Sequence, residues 1–357
     1  MKVALVHEWL TTFAGSEQVL LALSKIYPEA PIYVPVYNSK RVPQFNKKKI
    51  HTSFLQKMPG ALKIPQIYLP LMLAAFQQFD FTQYDVVVSS SHAFAKGIKT
   101  PKNTIHICYC HYPLRYVWEP SVDPRLSRNP IFRILRNLLK KPDLIAAARP
   151  DFYIANSKNT AEKIQKHYHR DAQVIYPPVE IDKFRSVKSP SKDYFLLAGR
   201  LVDYKNPGLV VRVFNKNCQK LKVVGSGPEE KKLKKIAHKN IEFLGRVPDN
   251  TLKNLYANCK ALIFPGEEDF GIIPIEVMAS GRPVLALKRG GAVESIIAGV
   301  TGDFFDEPIE AALEKALKKF DYDAYNVNTI REHALKFEKK NFQNEIQRVI
   351  LKYYNNK

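Results

Sequence analysis

The amino-acid sequence predicts an α/β protein with parallel sheets, divided into two domains. Short apolar runs rich in β-branched residues alternate with longer helical patterns along the whole chain, which is typical of βαβ units. These runs form two series with a proline-rich stretch between them. The chain has 357 residues and is 45% apolar, which is enough for two domain cores and excludes intrinsic disorder.

The predicted strands lie on either side of residues 178–191, where prolines and charges occur without a helical or strand period. We place the interdomain linker there. The strands before it are Val3–Val6, Val86–Ser89, Ile105–Cys108, Tyr153–Ala155 and Val174–Tyr176. The strands after it are Tyr194–Ala198, Leu221–Val224, Ile241–Leu244, Ala261–Phe264 and Pro283–Ala286. We therefore expect an N-terminal domain over residues 1–178 and a C-terminal domain over 179–340.

Residues 341–357 are predicted to form a separate C-terminal helix. Its apolar residues recur at helical spacing and make one apolar face, which must be buried against another element. We expect the helix to pack back on the N-terminal domain. The residues of this face are Phe342, Ile346, Val349, Ile350 and Tyr353.

The charge of the chain points to an anionic partner. Lys and Arg number 55 against 34 Asp and Glu, a formal net charge of +21. Two acid-free stretches, 30–79 and 125–142, mix this positive charge with apolar residues, as segments that lie on an acidic membrane do. Solvated lysines beside ordinary core residues give the same pattern, and this alternative stays open. The patch that we expect to meet a membrane or acceptor comprises Lys47, Lys48, Lys49, Arg133 and Arg136.

Several other classes of protein are disfavoured. No helix-turn-helix, zinc-finger or RNP motif accompanies the basic charge, so we expect no nucleic-acid partner. No apolar segment reaches the ~20 residues that span a bilayer, and the start of the chain has no export signal. The four cysteines include no C-x-x-C pair, as expected for reduced thiols in a cytosolic protein.

Small-residue turns and cations follow several predicted strands, at the edge where open α/β sheets bind ligands. Ala14-Gly15 opens a helix after the first strand, and such a turn can meet a phosphate, although many turns carry a glycine only for tight packing. Arg200 and Lys205 follow the first strand of the second series. Two cations there suit a diphosphate, and a surface pair in a loop is the alternative.

The most informative segment runs from Phe264 to Ala279. A strand ends there, a loop holds Glu268, and Glu276 lies eight positions later in the first turn of a helix. The two carboxylates can each accept hydrogen bonds from a pair of hydroxyls, as a sugar nucleotide offers. The amide groups of Gly271 to Ile273 lie at the positive end of the helix dipole.

These motifs resemble those of retaining glycosyltransferases of family 4. The resemblance covers His7 to Phe342 and includes Gly-Arg-Leu, Gly-x-Gly-Pro-Glu, Glu-Asp-Phe-Gly-Ile-x-Pro-x-Glu and Gly-Arg-Pro-Val. His-Glu-Trp-Leu near the start and the residues around His111 are similar to mannosyltransferases of bacterial O-antigen and exopolysaccharide assembly. The resemblance to family 4 implies the GT-B fold, with two Rossmann-like domains whose parallel sheets face an interdomain cleft.

The resemblance also implies a role for each matching residue. Glu276 would bind the ribose hydroxyls and Glu268 those of the donor sugar, while Arg200 and Lys205 would hold the diphosphate. His111 would lie beside the donor sugar, with a locally satisfied histidine at a strand end as the alternative. The other donor-binding residues would be Gly15, Phe270, Gly271, Ile272 and Ile273.

Two departures from the family pattern affect these assignments. The usual Gly-Gly of the first loop is Ala14-Gly15 here, which leaves its phosphate contact in question. Glu267 stands beside Glu268, but only Glu268 has the eight-residue separation from Glu276.

The function expected from this resemblance is that of a hexosyltransferase, with mannose from GDP-mannose transferred to a lipid-linked or oligosaccharide acceptor in surface polysaccharide biosynthesis. We expect no cofactor and no metal, because Arg200 and Lys205 would neutralise the diphosphate. The location would be cytoplasmic, peripheral on the inner face of the plasma membrane. A UDP-sugar-dependent transferase of the same fold and a non-catalytic protein that binds sugar nucleotides remain as alternatives.

Overall fold

A computed structural model describes residues 1–119, 130–185 and 193–356 of the chain. It divides the protein into two compact units, one formed by Met1–Pro178 with Lys340–Lys357 and the other by Val179–Lys339. Two parts of the sequence predictions lie outside the described residues: 186–191 of the expected linker and 125–129 of the second basic stretch.

The first unit contains, in its described part, a parallel sheet of seven strands in the order β3-β2-β1-β4-β5-β6-β7. The central strands are buried on both faces and are therefore almost continuously apolar. The strands are β1 (Val3–His7), β2 (Ile32–Val34), β3 (Ile50–Thr52), β4 (Val86–Ser91), β5 (Ile105–Cys110), β6 (Phe152–Ala155) and β7 (Ala172–Val174). The helices of this unit are α1 (Gly15–Ile26), α2 (Leu69–Gln77), α3 (Arg115–Trp118), α4 (Pro130–Ala147), α5 (Lys158–Tyr168) and, at the end of the chain, α14 (Lys339–Asn355).

Helix α14 completes the core of the first unit. Its apolar face is buried in the same cluster as β1, β4 and β5. The ring of Phe342 meets that of Tyr109 edge to face, and Tyr353 stacks on Phe152 with 3.5 Å between ring centroids. The last helix of the sequence thus belongs to the unit that contains the first strand.

The second unit is built in the same way. Its described part has six parallel strands in the order β10-β9-β8-β11-β12-β13. These strands are β8 (Tyr194–Ala198), β9 (Leu221–Val224), β10 (Ile241–Gly245), β11 (Cys259–Phe264), β12 (Val284–Leu287) and β13 (Gly302–Phe305). The helices are α6 (Asp182–Arg185), α7 (Pro207–Asn217), α8 (Glu230–Ile236), α9 (Asp249–Asn258), α10 (Ile272–Ala279), α11 (Ala292–Ser295), α12 (Glu310–Lys319) and α13 (Val327–Ala334).

Both sheets reverse their strand order at one point, and that point locates the ligand edge. In the first sheet β1 lies between β2 and β4, and in the second β8 lies between β9 and β11. The connections leave such neighbouring strands in opposite directions, which opens a crevice at their carboxyl ends. Residues that directly follow β1, β4, β8 and β11 are therefore the ones positioned to meet a ligand.

The fold prediction is confirmed, with a few elements missed. The strands β2, β3 and β13 were not predicted, because the first two have three residues each and the third begins at Gly302. Residues 179–185, predicted both as part of the linker stretch and as the start of the C-terminal domain, belong to the second unit. Asp182–Arg185 forms the short helix α6, whose Phe184 is buried against Tyr256 at 5.3 Å between ring centroids.

Candidate functional site

The second unit brings together three of the predicted site residues where β8 and β11 end. Arg200 follows β8 and is exposed. Lys205 ends the short turn after it, and its Nζ lies 2.7 Å from Oε1 of Glu268, in the loop after β11. Both side chains are about one-fifth exposed, at 19% and 23%. Arg200, Lys205 and Glu268 also line one small depression of the surface, so two cations and one carboxylate face the same space.

Two glycines set the backbone around Glu268. Gly271 has a φ of +88° at the N-terminus of α10, in the left-handed region that side chains disfavour. Gly290 passes so close that a Cβ atom there would lie 2.3 Å from the carbonyl oxygen of Glu268, and the amide of Gly291 donates to that oxygen at 2.8 Å. These close contacts fix the conformation of the loop. The first amides of α10 have no acceptor within the helix and lie at its N-terminal end, next to this loop.

Glu276 is the fifth residue of α10, in its second turn rather than the predicted first, and its side chain is partly buried. Tyr256 donates a hydrogen bond from its hydroxyl to Oε2 of Glu276 at 3.2 Å. Burial raises the pKa of Glu276 to about 7, while Tyr256 and the charge of Lys183 act in the opposite direction. The carboxyl group of Glu276 therefore changes charge near neutral pH, unlike an exposed glutamate.

In the first unit, a buried carboxylate organises the loop after β4. Oε1 of Glu8 accepts hydrogen bonds from the hydroxyl of Ser91 and from the amides of His92, Ala93 and Ala95, at 2.7–3.1 Å. Oε2 accepts from the amide of Phe94 at 3.0 Å. Burial opposes ionisation of Glu8, but the charge of His92 and these hydrogen bonds outweigh it, so the pKa of Glu8 is lowered.

A chain of hydrogen bonds runs through the imidazole groups beside this loop. Nε2 of His111 lies 2.8 Å from Oγ of Ser90, which lies 3.0 Å from Nδ1 of His7. Nε2 of His7 lies 3.4 Å from Oε1 of Glu17. The register of the sheet explains the arrangement, because His7 of β1 is paired directly with Ser90 of β4. The ring of His92 lies about 6 Å from those of His7 and His111, at 6.2 and 6.3 Å between centroids.

Gly15, the predicted phosphate-contacting residue, is the first residue of α1. Glu17 closes this turn, since its Oε2 accepts the amide hydrogen of Ala14 at 2.8 Å. Among the described glycines, Gly15 is not one with a positive φ. Its backbone conformation is therefore open to other residues, in contrast to that of Gly271.

A buried ion pair fastens α4 to the loop that Glu8 organises. Nζ of Lys96 lies 2.6 Å from Oδ1 of Asp143 and also donates to the carbonyl of Ala93. Oδ2 of Asp143 accepts from Nε1 of Trp118 at 2.7 Å and from the hydroxyl of Tyr168 at 2.9 Å. Burial opposes the charge of Lys96, but Asp143 outweighs it and the pKa of Lys96 is raised.

The residues of the predicted basic patch differ in environment. Lys47, Lys49 and Arg133 are exposed, and Arg136 is half-buried. Nζ of Lys48 instead donates to the carbonyls of Ser24 and Pro28, at 2.8 and 2.9 Å. Since Ser24 lies in the last turn of α1, Lys48 satisfies a carbonyl that the helix leaves without a partner.

An apolar surface accompanies these cations in the first unit. On α4, Ile134 and Leu138 are 61% and 67% exposed, and Ile67, just before α2, is 57% exposed. The two helices are neighbours, because a Cβ atom on Gly97 would touch both Leu73 of α2 and Ala146 of α4. No helix in the described parts of the chain is long and apolar enough to cross a membrane.

Several residues of these arrangements were not predicted from the sequence. They are Glu8, His7, Glu17, Ser90, Lys96, Asp143 and Tyr256. Glu17 carried a signal, since an acidic residue three positions after a helix N-cap is the second half of a capping box. His7 and Glu8 belong to the His-Glu-Trp-Leu motif, which did not indicate their contacts, and the remaining residues meet partners that are distant in the sequence.

Comparisons with known proteins agree with the two-unit architecture. Residues 13–183 match the family model described as Glycosyltransferase Family 4, and residues 178–337 match Glycosyl transferases group 1. The chain is 27% identical over 306 residues to the alpha-1,3/1,6-mannosyltransferase ALG2 of Homo sapiens, covering 75% of this chain and 68% of that protein.

Solved structures share the fold. Anabaena Alr3699/HepE in complex with UDP matches with a TM-score of 0.73 and 16% identity, covering 99% of this chain and 100% of that one. Sucrose-phosphate synthase from Thermosynechococcus elongatus matches with a TM-score of 0.74 and 15% identity, covering 100% of both chains. At such identities the likeness concerns the fold.

Proposed function

This chain is a hexosyltransferase that belongs to the family 4-like glycosyltransferases of the GT-B fold, and on that premise we propose that it transfers mannose from GDP-mannose to a lipid-linked glycan with retention of configuration. The mannose follows from the name of the human relative, an alpha-1,3/1,6-mannosyltransferase. The guanine nucleotide and a role in surface polysaccharide biosynthesis follow from the motifs around His7 and His111.

The observation that carries the proposal is the meeting of Arg200, Lys205 and Glu268 where β8 and β11 end. We assign the diphosphate of the donor to the two cations, because a guanidinium binds phosphate oxygens in pairs and an ammonium adds a point charge. Glu268 accepts hydrogen bonds from the hydroxyls of the donor sugar. The amides of Gly271, Ile272 and Ile273, with the adjacent Phe270, complete the binding of sugar and phosphate oxygens, and Glu276 accepts from the ribose hydroxyls.

The proposed reaction is a substitution on one face of the sugar. The bond from the anomeric carbon to the phosphate oxygen breaks, and the bond to the acceptor oxygen forms on the same side. The acceptor hydroxyl gives its proton to the departing phosphate. Arg200 and Lys205 stabilise the negative charge that grows on that phosphate, an electrostatic contribution of several kcal/mol when the groups are preorganised. With these two cations in place, we propose that no metal ion is required.

The first unit supplies the surface for a lipid-linked acceptor in this proposal. Exposed Ile134 and Leu138 on α4 lie among basic residues that include Arg133, and exposed Ile67 lies near the neighbouring α2. Such a surface gains apolar burial and attraction to acidic headgroups together. We propose that the protein is peripheral on the cytoplasmic face of the plasma membrane.

Donor hydrolysis tests the proposed function directly. The purified protein is incubated with GDP-mannose, GDP-fucose, UDP-glucose, UDP-galactose and UDP-N-acetylglucosamine, with and without EDTA. We expect release of mannose from GDP-mannose alone, with the α configuration retained and no effect of EDTA. Activity on a UDP-sugar would show that this sugar nucleotide, and not GDP-mannose, is the donor. Binding without turnover of any donor would favour a non-catalytic protein.

Glu276→Gln is expected to stabilise the free protein at about pH 8 and to weaken its affinity for GDP. The raised pKa of Glu276, about 7 against an ordinary 4.5, means that the folded state binds this proton more tightly than the unfolded state does. The contribution of this tighter proton binding to the free energy of unfolding is fully present below pH 4.5 and is lost as pH rises through 7. The variant keeps a neutral group throughout, so its advantage in Tm should appear at about pH 8 and vanish at about pH 4.

The same variant tests the ribose assignment. A ribose-binding carboxylate must be ionised, so wild-type affinity for GDP should rise about tenfold from about pH 6 to about pH 8, and this rise should be absent in Glu276→Gln. Calorimetry measures both. The control is Glu307→Gln, an exposed position of the same unit, which should match the wild type. An equal pH slope in wild type and Glu276→Gln would contradict the assignment.

Lys47→Gln with Lys49→Gln is expected to weaken binding to acidic vesicles without changing donor hydrolysis. A basic residue near an anionic surface contributes about 1 kcal/mol, so partition onto phosphatidylglycerol vesicles should fall by about tenfold or more. Lys48 is left intact because it contacts the end of α1. Ile134→Gln with Leu138→Gln should weaken partition as well, through lost apolar burial.

The matched control for charge is Lys231→Gln with Lys235→Gln, two exposed lysines of the second unit. Sedimentation with vesicles of phosphatidylcholine, with and without phosphatidylglycerol, gives the partition coefficients. Unchanged partition in both first-unit variants, or an equal loss in the control, would exclude this surface as the membrane contact.

A further inference from the structure

His111 is linked to helix α1 by one unbranched chain of hydrogen bonds. From its Nε2 the chain passes to Oγ of Ser90 at 2.8 Å, to Nδ1 of His7 at 3.0 Å, and from Nε2 of His7 to Oε1 of Glu17 at 3.4 Å. Ser90, His7 and Glu17 are all buried. The side chains of Ser90 and His7, in the middle, therefore have to find their donors and acceptors within this chain.

The direction of the chain follows from the chemistry of its ends. The other oxygen of Glu17 accepts the amide hydrogen of Ala14 at 2.8 Å. Burial opposes ionisation of Glu17, but its hydrogen bond with His7 outweighs it, so the pKa of Glu17 is lowered. An ionised carboxylate only accepts hydrogen bonds. The hydrogen between Glu17 and His7 is consequently carried by Nε2 of His7.

The hydrogen on Nε2 of His7 determines which atoms donate and which accept in the rest of the chain of hydrogen bonds. In neutral His7, a hydrogen on Nε2 leaves Nδ1 as an acceptor, so the hydroxyl of Ser90 donates to Nδ1. A serine hydroxyl has a single hydrogen, so the oxygen of Ser90 must accept from the next member, His111. The hydrogen of the neutral His111 ring then lies on Nε2.

We propose that Glu17, His7 and Ser90 are positioning residues that hold His111 in the tautomer with hydrogen on Nε2, so that its Nδ1 is a hydrogen-bond acceptor for a hydroxyl of the sugar substrate. Within the described part of the chain, the only side-chain hydrogen bond of His111 is the one from Nε2, so its Nδ1 has no partner, and the side chain is only partly buried. The substrate in this inference rests on the proposed function, whereas the tautomer does not.

The surroundings keep His111 neutral, as an acceptor must be. Burial, together with the nearby His92 and His7, holds the pKa of His111 well below its usual range. The groups that face His7 are Glu17 from α1, Ser90 from β4 and the ring of His92 after β4. A fixed acceptor recognises a hydroxyl hydrogen and disfavours an analogue that lacks one, because Nδ1 would then be left unpaired.

The tautomer is measured by long-range proton–nitrogen correlation NMR on protein with ¹⁵N-labelled histidine at about pH 8, well above the ordinary pKa of histidine. The wild type should show His111 with hydrogen on Nε2, without any substrate present. A wild-type His111 with hydrogen on Nδ1 would overturn the inference.

Glu17→Gln provides the sharpest test, since it should reverse the direction of donation in every hydrogen bond between position 17 and His111. The amide of Ala14 still needs an acceptor, so the glutamine oxygen faces Ala14 and its NH₂ group donates to Nε2 of His7. His7 then donates from Nδ1 to Ser90, and Ser90 donates to Nε2 of His111. We expect the hydrogen of His111 to move to Nδ1 and kcat/KM for transfer to fall by about tenfold or more, because the wrong tautomer lacks the acceptor.

Two further variants complete the experiment. Ser90→Ala should give a mixture of the two His111 tautomers, and Glu29→Gln, an exposed change in the same unit, should leave the wild-type tautomer. If Glu17→Gln keeps hydrogen on Nε2 of His111 while the protein is folded, the inference fails even when transfer is active. If the tautomers behave as expected and no donor is turned over, the proposed function fails and the positioning role remains.

Discussion

Replacement of Glu268 by alanine is expected to lower kcat/KM for sugar transfer by at least about 10²–10³-fold while binding of GDP persists. The variant removes an acceptor for two sugar hydroxyls, and a hydrogen bond to a charged group is worth about 1.5–3 kcal/mol. Glu268 also neutralises Lys205 at 2.7 Å. Its removal leaves Lys205 free to bind phosphate, so affinity for GDP should stay equal or increase.

The adjacent Glu267 provides the matched control for this prediction, because it is exposed and differs in position by a single residue. Glu267→Ala should retain transfer and GDP affinity within a few-fold. Steady-state kinetics and calorimetry on both variants separate the two carboxylates. Loss of GDP binding in folded Glu268→Ala, or an equal loss of transfer in Glu267→Ala, would show that the sugar contact has been assigned to the wrong residue.

Lys96→Met should destabilise the first unit by about 3–5 kcal/mol, the usual effect of removing one partner of a buried ion pair. Asp143 would keep its hydrogen bonds from Trp118 and Tyr168 but would carry a buried charge with no cation beside it. For a unit of this size, that corresponds to a decrease in Tm on the order of 10 °C. Urea unfolding followed by tryptophan fluorescence measures the free energy, since Trp118 contacts the pair directly.

The double variant Lys96→Met, Asp143→Leu distinguishes an ion pair from simple packing. Removing both charges should recover part of the loss, because an apolar pair of similar volume is often no less stable than a buried ion pair. Lys99→Met, at an exposed position three residues away, should change stability little. A loss below about 1 kcal/mol in Lys96→Met, or a further loss in the double variant, would be inconsistent with a charged pair.

The fold was predictable because its signals are local. Buried parallel strands such as β1 and β8 are nearly continuous apolar runs, and the turns after them carry glycines and charges that stand out in the sequence. β2 and β3 escaped prediction since three residues, flanked by prolines or lysines, give too short a pattern. The helix at the end of the chain was predictable from one apolar face, which is buried in the first unit.

The residues of the candidate sites likewise include some that local sequence signals predict and others that they do not. The eight-residue separation of Glu268 and Glu276 and the cations Arg200 and Lys205 were read from one sequence motif or one strand end. The ion pair of Lys96 joins residues 47 positions apart, and Glu8 meets partners 83 to 87 positions away. Such pairs depend on which strands become neighbours, and that is a property of the sheet rather than of any segment.

The carboxylate of Glu8 has a consequence for how substrates meet the first unit. A run of backbone amides pointing at one place commonly recruits a phosphate from solution, but the loop after β4 already contains an anion covalently attached to the chain. A tethered carboxylate is present at a high effective concentration, so free phosphate competes poorly for these amides. The loop needs no bound ligand to order it, and its amide hydrogens should exchange slowly whether or not a nucleotide is bound. The entropy of ordering this part of the protein is lost during folding rather than at each catalytic cycle.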